Sequence, residues 1–561
     1  MWLPPRLNEK AENLSREVGI SLPMAQVLVN RGISAKETAH QFLFGRMEDL
    51  HDPYQMPDMH KAVERVEKAL AKKEKILIFG DYDVDGVLSV VILIRALRKC
   101  GGNVDFLIPN RLQDGYGLKT HFLDTIQGKQ ASLVISVDCG IRAVEFVREA
   151  KQRNIDVIIT DHHLPGPEIP NAEAVIDPAL PDSAYPDKKL AGVGVAFKLI
   201  QALLQKRGLS RHFIHYLKLV SIGTVADIVE LRGENRLFVK FGLKALRNPS
   251  NPGLSSILNV CGLQDGRISA GDVGFRIGPR INAAGRMGDP DLAVRLFFTS
   301  SSSESETIAR HLDRLNSDRQ KIEQHIYAEA LDNIQGRRLH QKYKMILLGC
   351  SKWHRGIIGI VASKLKRLLH QPIILFAYQN DRAFGSGRSI PGFPLIKCLE
   401  DNREQFVNYG GHTHAVGCEV ESHKMAELKT VLNHYVRENL SDQDLQRKIQ
   451  IDAGLDLDDI SHSFMDELQN LAPFGTGNPR PLFVSKRLNI ISSPQVLKGR
   501  HTKLLVRQKN RVFEALGWGR GDWGEKLSSG DMVDLVYSLQ TSEYLGEERV
   551  NLIIEDLKPS T

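Results

Sequence analysis

Three aspartates at alternate positions, Asp81, Asp83 and Asp85, follow an apolar run in the stretch KILIFGDYDVDGV (75–87). Carboxylates this close repel one another unless a cation sits among them. D-x-D-x-D-G also opens a calcium-binding EF-hand loop, which needs a bidentate Glu at its twelfth position. Counted from Asp81, that position is Ile92, deep in an apolar run. The residues before Asp81 read as a buried strand, not a helix, so the calcium loop is excluded. More acids and imidazoles close later apolar runs: Asp138 in VISVDCG, Asp161, His162 and His163 in VIITDHHLPG, and Asp227 in SIGTVADIVEL. Clustered carboxylates and imidazole without thiolate suit Mn²⁺ or Mg²⁺ and argue against structural zinc. A pair of such ions about 3.5–4 Å apart binds both the attacking and leaving oxygens of a phosphoryl displacement. The chemistry is therefore hydrolysis of a phosphoester or phosphoanhydride. The bland alternatives are a solvated acidic turn and a histidine pair serving as core residues or helix caps.

These side chains can meet only if a parallel sheet carries them. From residue 76 to about 177 strands and helices alternate, with further strands expected over 104–109, 133–138, 157–160 and 174–177. Such alternation implies right-handed crossovers and a mostly parallel sheet. The C-terminal tips of its strands share one edge, where Asp83, Asp85, Asp138 and His162 can converge. Residues 192–250 read as helical, and 303–334 as one long, largely exposed connecting helix. A second α/β unit follows to about residue 439, and short β-runs from about residue 450 predict a small barrel. The expected division is 1–45, a helical appendage to the first core; 46–300, the catalytic domain; 301–338, the connector; 339–440, the second domain; and 449–561, the barrel.

The 561 residues are too many for one core. Hydrophobic content of 42% and charged content of 25% are those of a soluble globular protein. No apolar stretch is long enough for a membrane span, and the first residues lack the apolar core of a secretory signal. Six cysteines lie scattered without C-x-x-C pairs, so no disulfide framework or zinc ribbon is indicated and the cytoplasm is the expected location. A net charge of +7 permits a polyanionic partner without requiring one.

The motifs DYDVDG, IPNRLQDGYGL, SVDCG, TDHH and GTVADIV, in this order, resemble the DHH phosphoesterase superfamily. YGGHTHAVG (409–417) resembles the G-G-H-x-x-A-x-G signature of its associated DHHA1 domain. With FRIGPRINAAGRMG (275–288), the connector and the barrel, the likeness extends over essentially the whole chain. It points to the superfamily's bacterial single-strand-specific 5′→3′ DNA exonucleases, which release mononucleotides. The resemblance implies an α/β DHH domain, a smaller α/β DHHA1 domain and a C-terminal OB-fold, with two Mn²⁺ or Mg²⁺ ions. By its pattern Asp83 and Asp85 hold one metal each, Asp138 bridges them, and His162 and Asp227 complete the shells. Asp81 and His163 lie beside the metals, binding phosphate or water. It further implies a monomer, a role in recombination and repair, and single-strand-binding protein as a partner.

Substrate choice needs more than the metal centre. Arg111 follows a strand at the same sheet edge and can grip a phosphate bidentately. Ser386, Arg388 and the glycine amides of GSGRS (385–389) form an anion-binding set. By the resemblance they join Arg111 on the 5′-terminal phosphate, and His412 contacts the substrate from a Gly-rich loop. Arg276, Arg280, Asn282 and Arg286 occupy a loop too polar for a core and would track the incoming strand. Residues 481–526 carry ten Lys or Arg against three acids, with Phe513, Trp518 and Trp523 interspersed. Basic strands with aromatics suit an OB-fold that binds single-stranded DNA, and Lys498, Arg500, Lys503, Arg507, Lys509 and Arg511 are its expected phosphate contacts. Two rival readings remain open on sequence alone. One is a relative acting on oligoribonucleotides, cyclic dinucleotides or pyrophosphate; the other is a DNA-binding scaffold with a dead centre.

Overall fold

The computed structural model describes residues 1–560 except 6, 7, 112, 113, 116, 265, 545 and 546, so Leu112, Gln113 and Tyr116 of the Arg111 motif lie outside the described residues. Five apolar runs pair as a parallel sheet: β1 (Lys75–Gly80), β2 (Asn103–Leu107), β3 (Leu133–Val137), β4 (Asp156–Thr160) and β5 (Ala174–Ile176). Their order is β2-β1-β3-β4-β5. Ile76, Ile78 and Ile135 point into one core, and Leu77, Phe79 and Val134 into another on the opposite face. Burial on both faces is why these strands read as continuous apolar runs. The order reverses between β1 and β3, and open α/β sheets bind ligands at the strand ends flanking such a reversal.

The long helix Ser302–Gly336 buries a single stripe. Its first half (Ile308, Ala309, Leu312) packs on the parallel-sheet core, and its second half (Ile326, Ala330, Ile334) on the next domain. There β6 (Ile346–Cys350), β7 (Ile373–Gln379), β8 (Arg382–Arg388), β9 (Asn408–His412) and β10 (Ala415–Glu421) form a mixed sheet ordered β9-β10-β8-β7-β6. Farther on, β11 (Phe483–Ile490), β12 (His501–Gln508), β13 (Arg511–Gly517), β14 (Met532–Tyr544) and β15 (Glu547–Pro559) pair in the order β11-β14-β15-β13-β12. Pairing of β12 back onto β11 closes the barrel.

The first 45 residues do not belong to the catalytic core, contrary to the expectation from sequence. Ala11, Leu14, Met24, Leu28 and Phe42 share one core with Phe464, Phe483, Leu535 and Leu552 of the barrel region. Trp2–Leu3 also pairs with Ile449–Gln450. Arg236, on the helix Gly233–Ala245, ties this assembly to the catalytic domain. Its buried guanidinium donates to the carbonyls of Phe42 (2.7 Å), Asn470 (2.8 Å), Leu471 (2.9 Å) and Ala472 (2.8 Å). Four carbonyl acceptors satisfy a charge that would otherwise be costly to bury. Sequence periodicity carries no information about which distant core a short helix joins.

Candidate metal centre

Asp83 caps the helix Val84–Lys99, accepting from the amides of Asp85 (3.0 Å) and Gly86 (3.1 Å). The tight turn from β1 requires glycine at 86, where a Cβ would lie 2.5 Å from the Asp81 carbonyl oxygen. Asp85 points the other way, to the N-terminus of the helix Gly192–Lys206, and accepts from Gly192 (2.7 Å) and Val193 (2.8 Å). Helix N-terminal amides favour an anion there. Asp138 follows β3 in a left-handed conformation (φ +60), and a side chain at Gly192 would collide with it at 2.7 Å. His162 Nε2 lies 3.1 Å from Asp138 Oδ1 and 3.7 Å from Asp227 Oδ2.

The ligand atoms fall into overlapping groups, each within 4.8 Å: Asp81, Asp83 and Asp138; Asp85, His162 and Asp227; Asp138, Asp161, His162 and His163. Two buried atoms among them, Asp81 Oδ1 and His162 Nε2, have no hydrogen-bond partner among the described residues. Burial, followed by repulsion from neighbouring carboxylates, raises Asp81, Asp138 and Asp227 well above the usual carboxylate range and Asp85 to about 7. Burial, reinforced by His163, lowers His162 to about 4 and keeps it neutral. Repelling carboxylates, a neutral imidazole and unsatisfied atoms fit divalent cations bound through oxygen and nitrogen.

Asp161 has a distinct task that its position beside the histidines only hinted at. It is fully buried and accepts from the amides of Ile141 (2.9 Å) and His162 (2.8 Å) and from His163 Nδ1 (2.7 Å). Burial would raise it, but the His163 bond and charge outweigh that and lower it. His163 is raised in turn, the Asp161 bond overcoming its own burial. The second domain approaches from the facing side, with the His412 ring 6.5 Å from that of His163. His412 ends strand β9 and does not sit in a loop.

Arg111 lies over the Tyr82 ring at 5.0 Å. Opposite, Ser386 and Arg388 alternate on β8 and share its face. Arg388 Nε donates to Ser363 (3.0 Å), and its Nη1 to Ser386 (3.3 Å). The glycines of this strand do not present free amides to an anion. β8 is paired on both sides, and Cβ atoms at Gly385 and Gly387 would meet Cys418, Leu395 and Val416 at 2.5–2.7 Å. Sequence reading places a helix over 355–369 but gives no role at the site to its first residues, which form the turn His354–Ile357 and the start of the helix Ile358–Leu369. A Cβ at Gly359 would lie 2.7 Å from Ser386 Oγ and 3.1 Å from Arg388 Nη2, so glycine keeps that space open.

The expected arginine loop is instead a π-turn, Val273–Ile277, running into the helix Gly278–Met287. Most of its polar side chains are engaged within the protein. Arg276 donates to Gly262 O (3.1 Å) and Asp272 (3.2 Å), and Arg280 to Asp313 (2.8 Å). Asn282 accepts from the Val84 amide (3.1 Å), which supports the helix behind Asp83. Arg286 reaches across the cleft to Gly356 O (2.9 Å), latching the second domain to the first. Burial and then Arg111 lower Arg286 to about 9.

On the barrel, Lys503 pairs with Glu514 (2.6 Å), and the exposed Lys509 with Asp456 (3.2 Å) and Asp458 (3.5 Å). Lys498, Arg500, Arg507 and Arg511 are exposed. Trp523 is buried, and Phe513 packs on the core. Trp518 is 55% exposed and meets the His501 ring edge-on at 4.8 Å. Among the described residues, no helix is long and apolar enough to cross a membrane.

Comparison with known proteins gives three family matches: the DHH family, N-terminal domain, over residues 75–224; the DHHA1 domain over 342–438; and the RecJ OB domain over 451–556. The single-stranded-DNA-specific exonuclease RecJ of Bacillus subtilis (strain 168) is 35% identical over 98% of this chain and 69% of its own length. That of Salmonella typhimurium is 32% identical over 99% of each chain. Among solved structures, RecJ from Thermus thermophilus in complex with Mn²⁺ superposes with a TM-score of 0.85 at 28% identity, covering 100% of this chain and 79% of that one. The Mg²⁺ complex gives 0.77 at 28% identity, covering 100% and 78%.

Proposed function

The chain belongs to the RecJ family of single-stranded-DNA-specific exonucleases, and from that premise we propose that it degrades single-stranded DNA from the 5′ end to mononucleotides in recombination and repair. The observation that carries this reading is one cleft, with the carboxylate–histidine cluster on one wall and Ser386, Arg388 and His412 on the other.

Asp83 and Asp85 would each hold one divalent cation and Asp138 both, with His162 and Asp227 completing the set. Two Mn²⁺ or Mg²⁺ ions, when bound, polarise the phosphoryl group and make an attacking water acidic. His163, held by Asp161, keeps a proton for a phosphoryl oxygen, and Asp81 orders the water. Arg111, Ser386 and Arg388 bind the 5′-terminal phosphate, which fixes the polarity, and His412 contacts the terminal nucleotide. The exposed Lys498, Arg500, Arg507 and Arg511 hold the trailing strand, and Trp518 is positioned to stack on a base. The protein works as a cytoplasmic monomer, with single-strand-binding protein as its partner.

A long single strand labelled at its 5′ end and incubated with Mn²⁺ tests this directly. Label should appear at once as mononucleotide. Label retained in progressively shorter fragments would overturn the polarity.

A further inference from the structure

The cleft holds more positive charge than one terminal phosphate uses. Arg355 extends from the turn before the helix Ile358–Leu369 and lies 3.7 Å over the Phe384 ring. Phe384, Ser386 and Arg388 alternate along β8 and therefore share one face. Arg355 thus marks the end of a row, with Arg388 at the other end and Ser386 between. One two-residue step separates Phe384 from Ser386, roughly 6.6 Å. The neighbouring Gly356 carbonyl accepts from Arg286 of the first domain (2.9 Å), which holds the Arg355 turn at the cleft. Burial lowers the Arg355 guanidinium, Glu419 opposes that, and Arg111 adds to the lowering. Burial and then the same Arg111 lower both Arg388 and Arg286. Arg111 is therefore the hub of mutually repelling guanidiniums, and arginine does not relieve repulsion by losing its proton. Acids near the group are Asp81, beside Arg111 and in the same carboxylate cluster as Asp83; Asp83, beside Arg286; and Glu419, beside Arg355. Asp83 belongs to the metal-ligand cluster, and Glu419 already lies 3.7 Å from Arg382.

We propose that Arg355, with Arg111, forms a second phosphate subsite beyond the terminal-phosphate pocket, and that this subsite takes the outer phosphates of a 5′-triphosphate. It rests on the reading of Arg111, Ser386 and Arg388 as the 5′-phosphate pocket. The cation–π seat on Phe384 holds an exposed side chain in place before ligand arrives, so little rotamer freedom is lost on binding. A 5′-triphosphate reaches the cleft from two sources, the end of a triphosphorylated strand or a free nucleoside triphosphate.

One single-stranded oligonucleotide with a 5′-triphosphate, 5′-monophosphate or 5′-hydroxyl end is digested by the wild type, Arg355→Ala and Arg388→Ala, each verified as folded by its melting curve. The wild type should cleave the triphosphate end at least as well as the monophosphate end. Arg355→Ala should cut kcat/KM on the triphosphate end at least tenfold more than on the monophosphate end. Equal losses on both ends overturn the subsite. So does failure of ATP to compete with a monophosphorylated strand better than AMP, if the triphosphate strand is also refused. Competition by ATP that Arg355→Ala abolishes, with the triphosphate strand refused, supports the subsite and assigns it to the free nucleotide. The underlying pocket is read separately. If Arg388→Ala leaves the monophosphate-to-hydroxyl ratio at its wild-type value, the pocket itself falls.

Discussion

Stripping divalent cations from this protein should make it lose stability as the pH rises, a direction set by the carboxylate cluster. In the metal-free fold Asp85 is raised to about 7 from an ordinary 3.8, and Asp81, Asp138 and Asp227 move the same way. A raised folded pKa means that the native state keeps a proton the unfolded chain has already released. The associated stability is complete below the unfolded pKa and is lost as pH climbs through the folded one. For Asp85 alone the window runs from about pH 4 to about pH 7, and a shift of about three units corresponds to ~4 kcal/mol. Melting curves in EDTA should therefore fall steadily between pH 5 and pH 8, and added Mg²⁺ should restore more stability at pH 8 than at pH 5. Asp138→Asn removes one repelling charge at a position whose φ of +60 suits asparagine. Without metal it should melt above the wild type at pH 8, yet gain little from Mg²⁺ and show no hydrolysis. A metal-free wild type as stable at pH 8 as at pH 5, or an Asp138→Asn variant less stable than it at pH 8, would refute the reasoning.

On the proposed 5′-phosphate pocket, Arg111→Ala and Arg388→Ala would each delete a charge-assisted contact of roughly 1.5–3 kcal/mol, so preference for a phosphorylated over a hydroxyl 5′ end should shrink by one to two orders of magnitude in competitive digestion. Asp161→Asn keeps the shape but weakens the hold on His163 (2.7 Å), so kcat should fall at least tenfold with single-strand binding unchanged in a filter assay. Replacing Lys498, Arg500, Arg507 and Arg511 with Gln should flatten the dependence of log affinity on log salt by about 0.7 for each phosphate no longer neutralised. Arg236→Met takes a donor from four carbonyls, of which Leu471 O keeps Asn478 Nδ2, and should cost more than about 3 kcal/mol, seen as early proteolytic separation of the barrel from the catalytic domain.

The parallel sheet and its acidic strand tips were legible in the sequence because each acid directly ends an apolar run, so strand periodicity alone places it at the edge. The arginine segment 275–288 was misread for the opposite reason. Its glycines and charges look like a loop, but Gly285 is there because a Cβ would press the Tyr82 carbonyl at 2.4 Å, and its charges meet partners distant in sequence. The turn around Arg355 was invisible, because its importance comes from Phe384 and Arg111, which lie on other elements. Residue 450 likewise looks like a clean place to cut the barrel away. A cut there would strip Arg236 of three of its four acceptors and remove the core of the first helices.

That shared core imposes an order on biosynthesis. Ala11, Leu14, Leu28 and Phe42 leave the ribosome early, while their partners Phe483, Leu535 and Leu552 come more than 400 residues later. At roughly 5–20 residues per second, the amphipathic helices wait from about 20 s to well over a minute with an apolar face uncovered. The parallel sheet and the mixed sheet can close in the meantime, since neither draws on residues beyond 440 for its strands. The carboxylate–histidine cluster is thus assembled before the barrel exists. A nascent chain stalled before residue 483 would present catalytic residues and an open hydrophobic surface together, which makes this interval the one in which a chaperone is most needed.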